Sequence, residues 1–233
     1  MKKLIIGLGV TALLVSACGG DTLVEAPKML SFESMDEKAS YMYGYASAEQ
    51  LKEAGINVKP EHFAAAIRDS MTGKNPRLES EIMQATSMAV QNKRREIVEA
   101  AARAKNLALA EAFLEKNGAR TEVTQTVSGL QYEVLQKGSG PSPKLSDRVK
   151  AHYHGTLLDG NVFDSSTSHA EPVEFEVEGV IAGWTEVLQL MSVGDKWKVY
   201  VPSDLAYPNG TRSIGPGSLL TFEIELIEII STE

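Results

Sequence analysis

The sequence predicts an α+β chain in two parts: an all-helical N-terminal region ending in a long connecting helix, then an antiparallel β half-barrel wrapped on one short helix. Three observations carry that expectation. The run from Leu78 to Asn117 contains neither Gly nor Pro, so nothing in it stops a helix. After Gly118 the apolar spacing changes from helical to strict alternation. The alternating runs are punctuated by Gly, Pro and Asp turn residues, and one short helical stretch interrupts them.

The elements follow in chain order. Ser34 or Asp36 can cap a first helix that runs to about Ala54, where Gly55 suits the stop. Pro60 fits the first turn of a short second helix carrying Phe63, Ala64, Ile67 and Met71 before Gly73. The third helix, Leu78 to Asn117, would be about 60 Å long at its usual rise. A small domain cannot bury the apolar side of such a helix, and Lys93-Arg94-Arg95-Glu96 reads as a solvated stretch of it. Strands are expected at Leu130–Leu135, Val149–His154, Val173–Val177, Lys198–Val201 and Leu219–Ile230. Asp159-Gly160 marks a hairpin between Leu157-Leu158 and Val162-Phe163, and the one helix falls at about Trp184 to Met191.

At 233 residues with 43% hydrophobic content, the chain can fill one or two cores. A net charge of -8 argues against nucleic acid, whose affinity comes mainly from Lys and Arg releasing counterions. Lys2 and Lys3 precede a mainly apolar stretch from Leu4 to Val15 and small Ser16 and Ala17, the layout of an export signal. The stretch is too short for a permanent membrane span. Cys18, the one cysteine of the chain, follows directly, which rules out a disulfide or cysteine-ligated metal within one chain. It is either incidental to an ordinary secretory signal or a lipidation site. Six of the eight methionines lie between Met29 and Met88, which suits an adaptable dimer interface or, alternatively, a monomeric helical core. His152 and His154 share a strand face but have no third ligand at recognisable spacing, so a surface pair is expected and no metal site. No nucleophile elbow or phosphate loop is present.

The β region carries its aromatic residues in an ordered set of blocks: His152-Tyr153-His154-Gly155, Asp159-Gly160-x-x-Phe163-Asp164-Ser165-Ser166, Val180-Ile181-x-Gly183-Trp184, Met191-x-Val193-Gly194, Ser203-Asp204-Leu205-Ala206-Tyr207, Ile214-Gly215-Pro216 and Leu219-x-x-Phe222-x-Ile224-x-Leu226. In this order, over about Ser128 to Ile229, they resemble the FKBP-type peptidyl-prolyl cis/trans isomerases. Asp36-x-x-x-Ala39-Ser40-Tyr41-x-x-Gly44-Tyr45, Met71-Thr72-Gly73, the long helix and Ser128-Gly129-Leu130-Gln131-Tyr132 resemble the macrophage infectivity potentiator branch of that family. Leu14-Val15-Ser16-Ala17-Cys18 resembles a bacterial lipobox, with Gly19 rather than an Asp after the cysteine.

These resemblances imply an FKBP-like half-barrel that accelerates rotation about X-Pro bonds without metal or cofactor. Tyr153, Asp164, Ile181 and Tyr207 would be the catalytic set: the Ile181 N–H and the Tyr207 O–H donate to substrate carbonyls, and Asp164 orients Tyr153. Trp184 would be the floor under the proline ring, with Phe163, Val180, Ile214 and Phe222 completing the substrate-binding set. Val173 stands where an aromatic is common, Leu205 replaces a Tyr, and His169 falls near a usual Arg partner of the Asp. The implied partners are proline-containing unfolded or partly folded polypeptides, FKBP-class macrolide inhibitors, and a second copy bound through residues 31–90. The implied organisation is a signal peptide at 1–17, a tether at 18–30, a helical dimerisation domain with its linking helix at 31–118 and an isomerase domain at 119–233. Lipid on Cys18 would anchor the chain in a bacterial outer membrane, facing the periplasm or the cell surface. A chaperone or surface binding protein that grips chains without turnover is the alternative function.

Overall fold

The computed structural model describes residues 30–166 and 171–230. The signal-like segment, Cys18, the tether and His169 lie outside the described residues. The chain divides into two compact units, Met1–Ser47 and Ala48–Glu233, with the division falling inside the first helix.

Helix α1, Met35–Glu53, starts where the sequence places a cap. Ser34 Oγ accepts from the Glu37 N–H at 3.1 Å, and Glu37 Oε2 accepts from the Ser34 N–H at 2.8 Å. That reciprocal pair is a capping box, and its backbone hydrogen bonds hold the Glu37 carboxyl below its usual pKa. Within the same unit Tyr41 sits edge-on to Phe32 and stacks on Tyr45. All three rings remain exposed.

In the second unit, Gly55 ends α1 at φ +68, with the Ile56 N–H donating to Leu51 O and the Gly55 N–H to Lys52 O. This left-handed stop absorbs two orphan carbonyls. Helix α2, Pro60–Met71, begins on its proline and ends in the same way at Gly73. Asp69 on α2 receives a two-pronged guanidinium contact from Arg77, which ties down the turn leading to α3 and lowers the Asp69 pKa. Helix α3, Ser80–Gly118, is one unbroken helix of 39 residues.

The β region forms a seven-stranded antiparallel sheet: β1 (Val123–Gln125), β2 (Gln131–Gln136), β3 (Arg148–Leu157), β4 (Val162–Ser165), β5 (Val173–Glu176), β6 (Lys196–Val201) and β7 (Leu220–Ile230). Its order is β1-β2-β6-β7-β3-β4, with β5 also pairing to β3. Two strands exceed the sequence expectation. The short β1 carries one apolar residue, and β4 is the far arm of the expected hairpin. The hairpin turn is a three-residue loop, closed by the Leu157 N–H to Asn161 O with Gly160 at φ +86.

Helix α4, Ala182–Leu190, packs on the inner sheet face. A Cβ on Gly183 would come within 2.5 Å of Val201 Cγ1, so only glycine lets the helix lie this close to β6. Val187, Leu188 and Met191 interlock with Val149, Ala151, Val199, Val201, Leu220, Ile224 and Leu226, all fully buried. The outer face of the same strands carries charge: Lys150 with Glu174 and Glu228, Lys196 with Glu225, and Lys198 with Glu223. Such exposed pairs add little stability, and they mark which face meets water.

Candidate active site

One end of the half-barrel opens into a cavity of about 480 Å³ lined by Tyr153, Phe163, Asp164, Phe175, Gly179, Val180, Ile181, Trp184, Tyr207 and Phe222. The first turn of α4 supplies the floor. Trp184 is 4% exposed and meets Tyr153, Phe175 and Phe222 edge-on, with ring centroids 5.2–5.4 Å apart. Edge-to-face contacts place the positive ring edge on the negative face of its neighbour. The Trp184 indole N–H is buried and has no hydrogen-bond partner among the described residues. An unpaired buried donor costs about 1–3 kcal/mol, so aromatic contacts rather than a polar anchor hold the floor.

The Phe163 wall depends on a bulge. His154 pairs with Ser165 and Gly155 with Asp164, but Thr156 pairs with Val162, which leaves Phe163 as the extra residue of β4. A bulge bends its strand and re-aims side chains. The Phe163 ring meets Phe222 edge-on at 5.5 Å and lies over Gly155, where a Cβ would fall 2.7 Å from Phe163 Cζ.

Three polar groups converge on this apolar space. Tyr153 donates its hydroxyl to Asp164 Oδ2 at 2.9 Å, and Asp164 Oδ1 accepts from the Ser165 N–H at 2.9 Å. Burial, then the Asp164 contact, pushes the Tyr153 phenol up to about 12, so it stays a neutral donor. Ile181 caps the N-terminus of α4, and a cap residue's N–H stands outside its helix's own hydrogen-bond ladder. Tyr207 also lines the cavity, partly exposed, and its hydroxyl has no hydrogen-bond partner among the described residues.

Of the residues expected at a substrate site, eight of nine line this one cavity: Tyr153, Phe163, Asp164, Val180, Ile181, Trp184, Tyr207 and Phe222. Ile214 does not. It is 4% exposed and belongs to the hydrophobic core cluster. Phe175 is the converse case: outside the expected substrate-binding set, it lines the cavity and packs against both Tyr153 and Trp184. Trp197 is core, stacked on Tyr132 at 4.3 Å. Leu205 packs against the core cluster, and Val173 is half-buried on β5. His152 Nδ1 and His154 Nδ1 each lie within hydrogen-bond distance of a serine hydroxyl, Ser166 at 3.2 Å and Ser165 at 3.0 Å.

Known proteins share both regions. A family model described as FKBP-type peptidyl-prolyl cis-trans isomerase matches residues 140–227, and one for the domain amino-terminal to that isomerase matches residues 36–134. The FKBP-type 22 kDa peptidyl-prolyl cis-trans isomerase of Escherichia coli K12 is 40% identical over 208 residues, covering 86% of this chain and 98% of its own. The outer membrane protein MIP of Legionella longbeachae is 37% identical over 223 residues, covering 89% and 91%. The crystal structure of FkpA from Escherichia coli superimposes with a TM-score of 0.62 at 33% identity, covering 85% of this chain and 98% of that one.

Proposed function

The chain belongs to the FKBP-type peptidyl-prolyl cis/trans isomerases, an enzyme family that turns X-Pro bonds, and on that premise we propose that the Trp184 cavity is where it does so. The observation that carries this reading is the juxtaposition of an aromatic floor and walls with three polar groups, Tyr207 O–H, Ile181 N–H and the Asp164–Tyr153 pair.

Peptide rotation is slow because the C–N bond is partly double, with a barrier of about 18–20 kcal/mol. The resonance form behind that barrier is charge-separated, so water favours it and an apolar cavity does not. Moving the amide from water to the cavity therefore weakens the double-bond character. The proline ring sits on Trp184 between Phe163 and Phe222. Ile181 N–H and Tyr207 O–H hold the flanking carbonyls, so one side of the bond stays fixed while the other turns. Asp164, already positioned by Tyr153 and the Ser165 N–H, faces the carbonyl carbon as it leaves conjugation. No proton moves in this scheme. The experiment is cis-to-trans conversion of an X-Pro tetrapeptide with and without an FKBP-class macrolide. Acceleration abolished by the macrolide supports the reading. A wild-type rate equal to background defeats it, as does a Tyr207→Phe, Asp164→Ala double variant of unimpaired rate.

The finer proposals concern setting. We assign the chain an N-terminal lipid on Cys18, a place at the bacterial outer membrane, exported proteins as clients, chaperone activity, and a homodimer through residues 31–90, with domains at 31–118 and 119–233. The lipobox-like Leu14–Cys18 run and the relative named as an outer membrane protein support the location. Exposed Met35, Met42, Tyr43, Tyr45, Met71, Ile82 and Met88 support the dimer. They also favour the second reading, in which the helical region grips unfolded chains. Aggregation protection that survives macrolide saturation is expected if those helices bind clients.

A further inference from the structure

The loop from Tyr207 to Ser218 carries one of the proposed hydrogen-bond donors, and it is fastened to the long helix at both ends. Near its start, Arg103 Nη2 donates to Asn209 Oδ1 at 2.7 Å. Near its end, Asn106 Nδ2 donates to Pro216 O at 2.9 Å and lies 3.3 Å from Ser218 Oγ. Between these points the backbone is drawn together, the Gly217 N–H donating to Pro208 O and the Thr211 N–H to Ile214 O. Ile214 is buried in the core, which roots the tip.

The contact is also steric. Gly217 has φ +72, and a Cβ there would meet Arg103 O at 3.0 Å and Leu107 Cγ at 3.1 Å. A Cβ on Gly215 would meet Asn106 Nδ2 at 3.1 Å. Arg103, Asn106 and Leu107 are spaced three and four apart, so they present one face of α3 to the loop. The helix surface is therefore a template for the loop, complementary in shape at its glycines and in polarity at Asn209 and Pro216. Tyr207 stands two residues before the first fastening. Its hydroxyl has no partner among the described residues, so its backbone anchorage and its contacts along the cavity rim set its position.

We propose that Arg103 and Asn106 of α3 are positioning residues for isomerisation, holding the 207–218 loop so that the Tyr207 hydroxyl meets the substrate carbonyl. The long helix is then part of the enzyme's working parts as well as a connector. The inference rests on the proposed role of Tyr207 and adds the reason a helix outside the cavity bears on it.

A double-mutant cycle in the full chain tests it, with X-Pro tetrapeptide turnover as the readout and thermal unfolding as the control. Asn106→Ala and Asn106→Asp, which cannot donate to Pro216 O, are expected to lower kcat/KM by about fivefold, the order of one neutral hydrogen bond, mainly through kcat. In a Tyr207→Phe background the same substitutions are expected to cost nothing further, because the group they position is gone. Undiminished kcat/KM in both Asn106 variants overturns the proposal even if Tyr207→Phe is impaired. A full additional loss in the Tyr207→Phe background also overturns it, since Asn106 then acts by another route. If Tyr207→Phe alone matches wild type, the hydroxyl reading fails and the proposal falls with it.

Discussion

The helical region and the β region dispose of their large apolar side chains in opposite ways. In the helical region the buried hydrophobic residues are the small Ala54 and Ala110, while Met35 and Met71 remain more than four-fifths exposed. In the β region, Val187, Leu188, Val199, Leu220 and Ile224 are inaccessible to solvent. The β sequence closes a sheet on a helix and so completes its own core. The helices form through caps, glycine stops and unbroken propensity, and local rules of that kind make helices without making a core. A structure that spends no local signal on burial needs burial from elsewhere, which is the physical ground for the proposed homodimer.

Substitutions that look alike on paper should separate the two regions. The largest expected effect is Trp184→Ala, which removes a buried ring touching three others and is expected to lower stability by about 3–5 kcal/mol in chemical denaturation. A loss near zero would mean that the cavity floor is not part of the core. Gly155→Ala comes next: its Cβ would meet Phe163 Cζ at 2.7 Å, and overpacking of this kind costs about 1–3 kcal/mol. Tetrapeptide turnover should fall with it, because the wall has to move. Met42→Glu on exposed α1 is expected to shift denaturation of the β region by less than about 0.5 kcal/mol. Both tryptophans of the chain lie in that region, so their fluorescence reports it selectively. In the same variant, light scattering should fall from two chain masses to one. A wild-type monomer at micromolar concentration would break the contrast from the helical side.

The smallest effect is a titration. Burial, then Asp164, raises the Tyr153 phenol to about 12, so between the unfolded and folded values the unfolded chain has released a proton that the folded one keeps. Stability from this group is thus whole below about 10, the unperturbed tyrosine value, and declines as pH climbs through the folded value. Absorbance near the phenolate band, as a difference between wild type and Tyr153→Phe, should show one late-ionising tyrosine. In Asp164→Asn it should ionise earlier, yet still above an unperturbed tyrosine, because burial remains.

Much of this was legible beforehand, and the exceptions share a cause. Helices α1 and α2 announce their ends through Ser34, Gly55, Pro60 and Gly73, because caps and stops act within a few residues. Tyr153, Asp164, Ile181, Trp184, Tyr207 and Phe222 were marked by the blocks around them. Phe175 was harder: on an alternating strand, an inward aromatic that fills a core and one that lines a cavity carry the same pattern. Ile214 is the reverse, placed in the core cluster and outside the cavity lining, which its Ile-Gly-Pro context does not signal. Strand β1 was missed because Val123-Thr124-Gln125 is too short and polar to show alternation. The bulge at Phe163 was invisible because register is a property of two strands.

The amino-acid sequence by itself determined the order and type of the main elements, the change from helical to strand periodicity after Gly118, and the set of residues from which a proline site could be assembled. The first two depend on spacing and capping, which are local, and the third is what the resemblance of the ordered blocks implies. Tertiary structure alone decided that Phe175 lines the cavity, that Ile214 is core and outside the lining, and that Arg103 and Asn106 reach across more than a hundred residues to the Tyr207 loop. Each of those depends on which surfaces meet when the sheet closes over α4, and no short-range pattern encodes that.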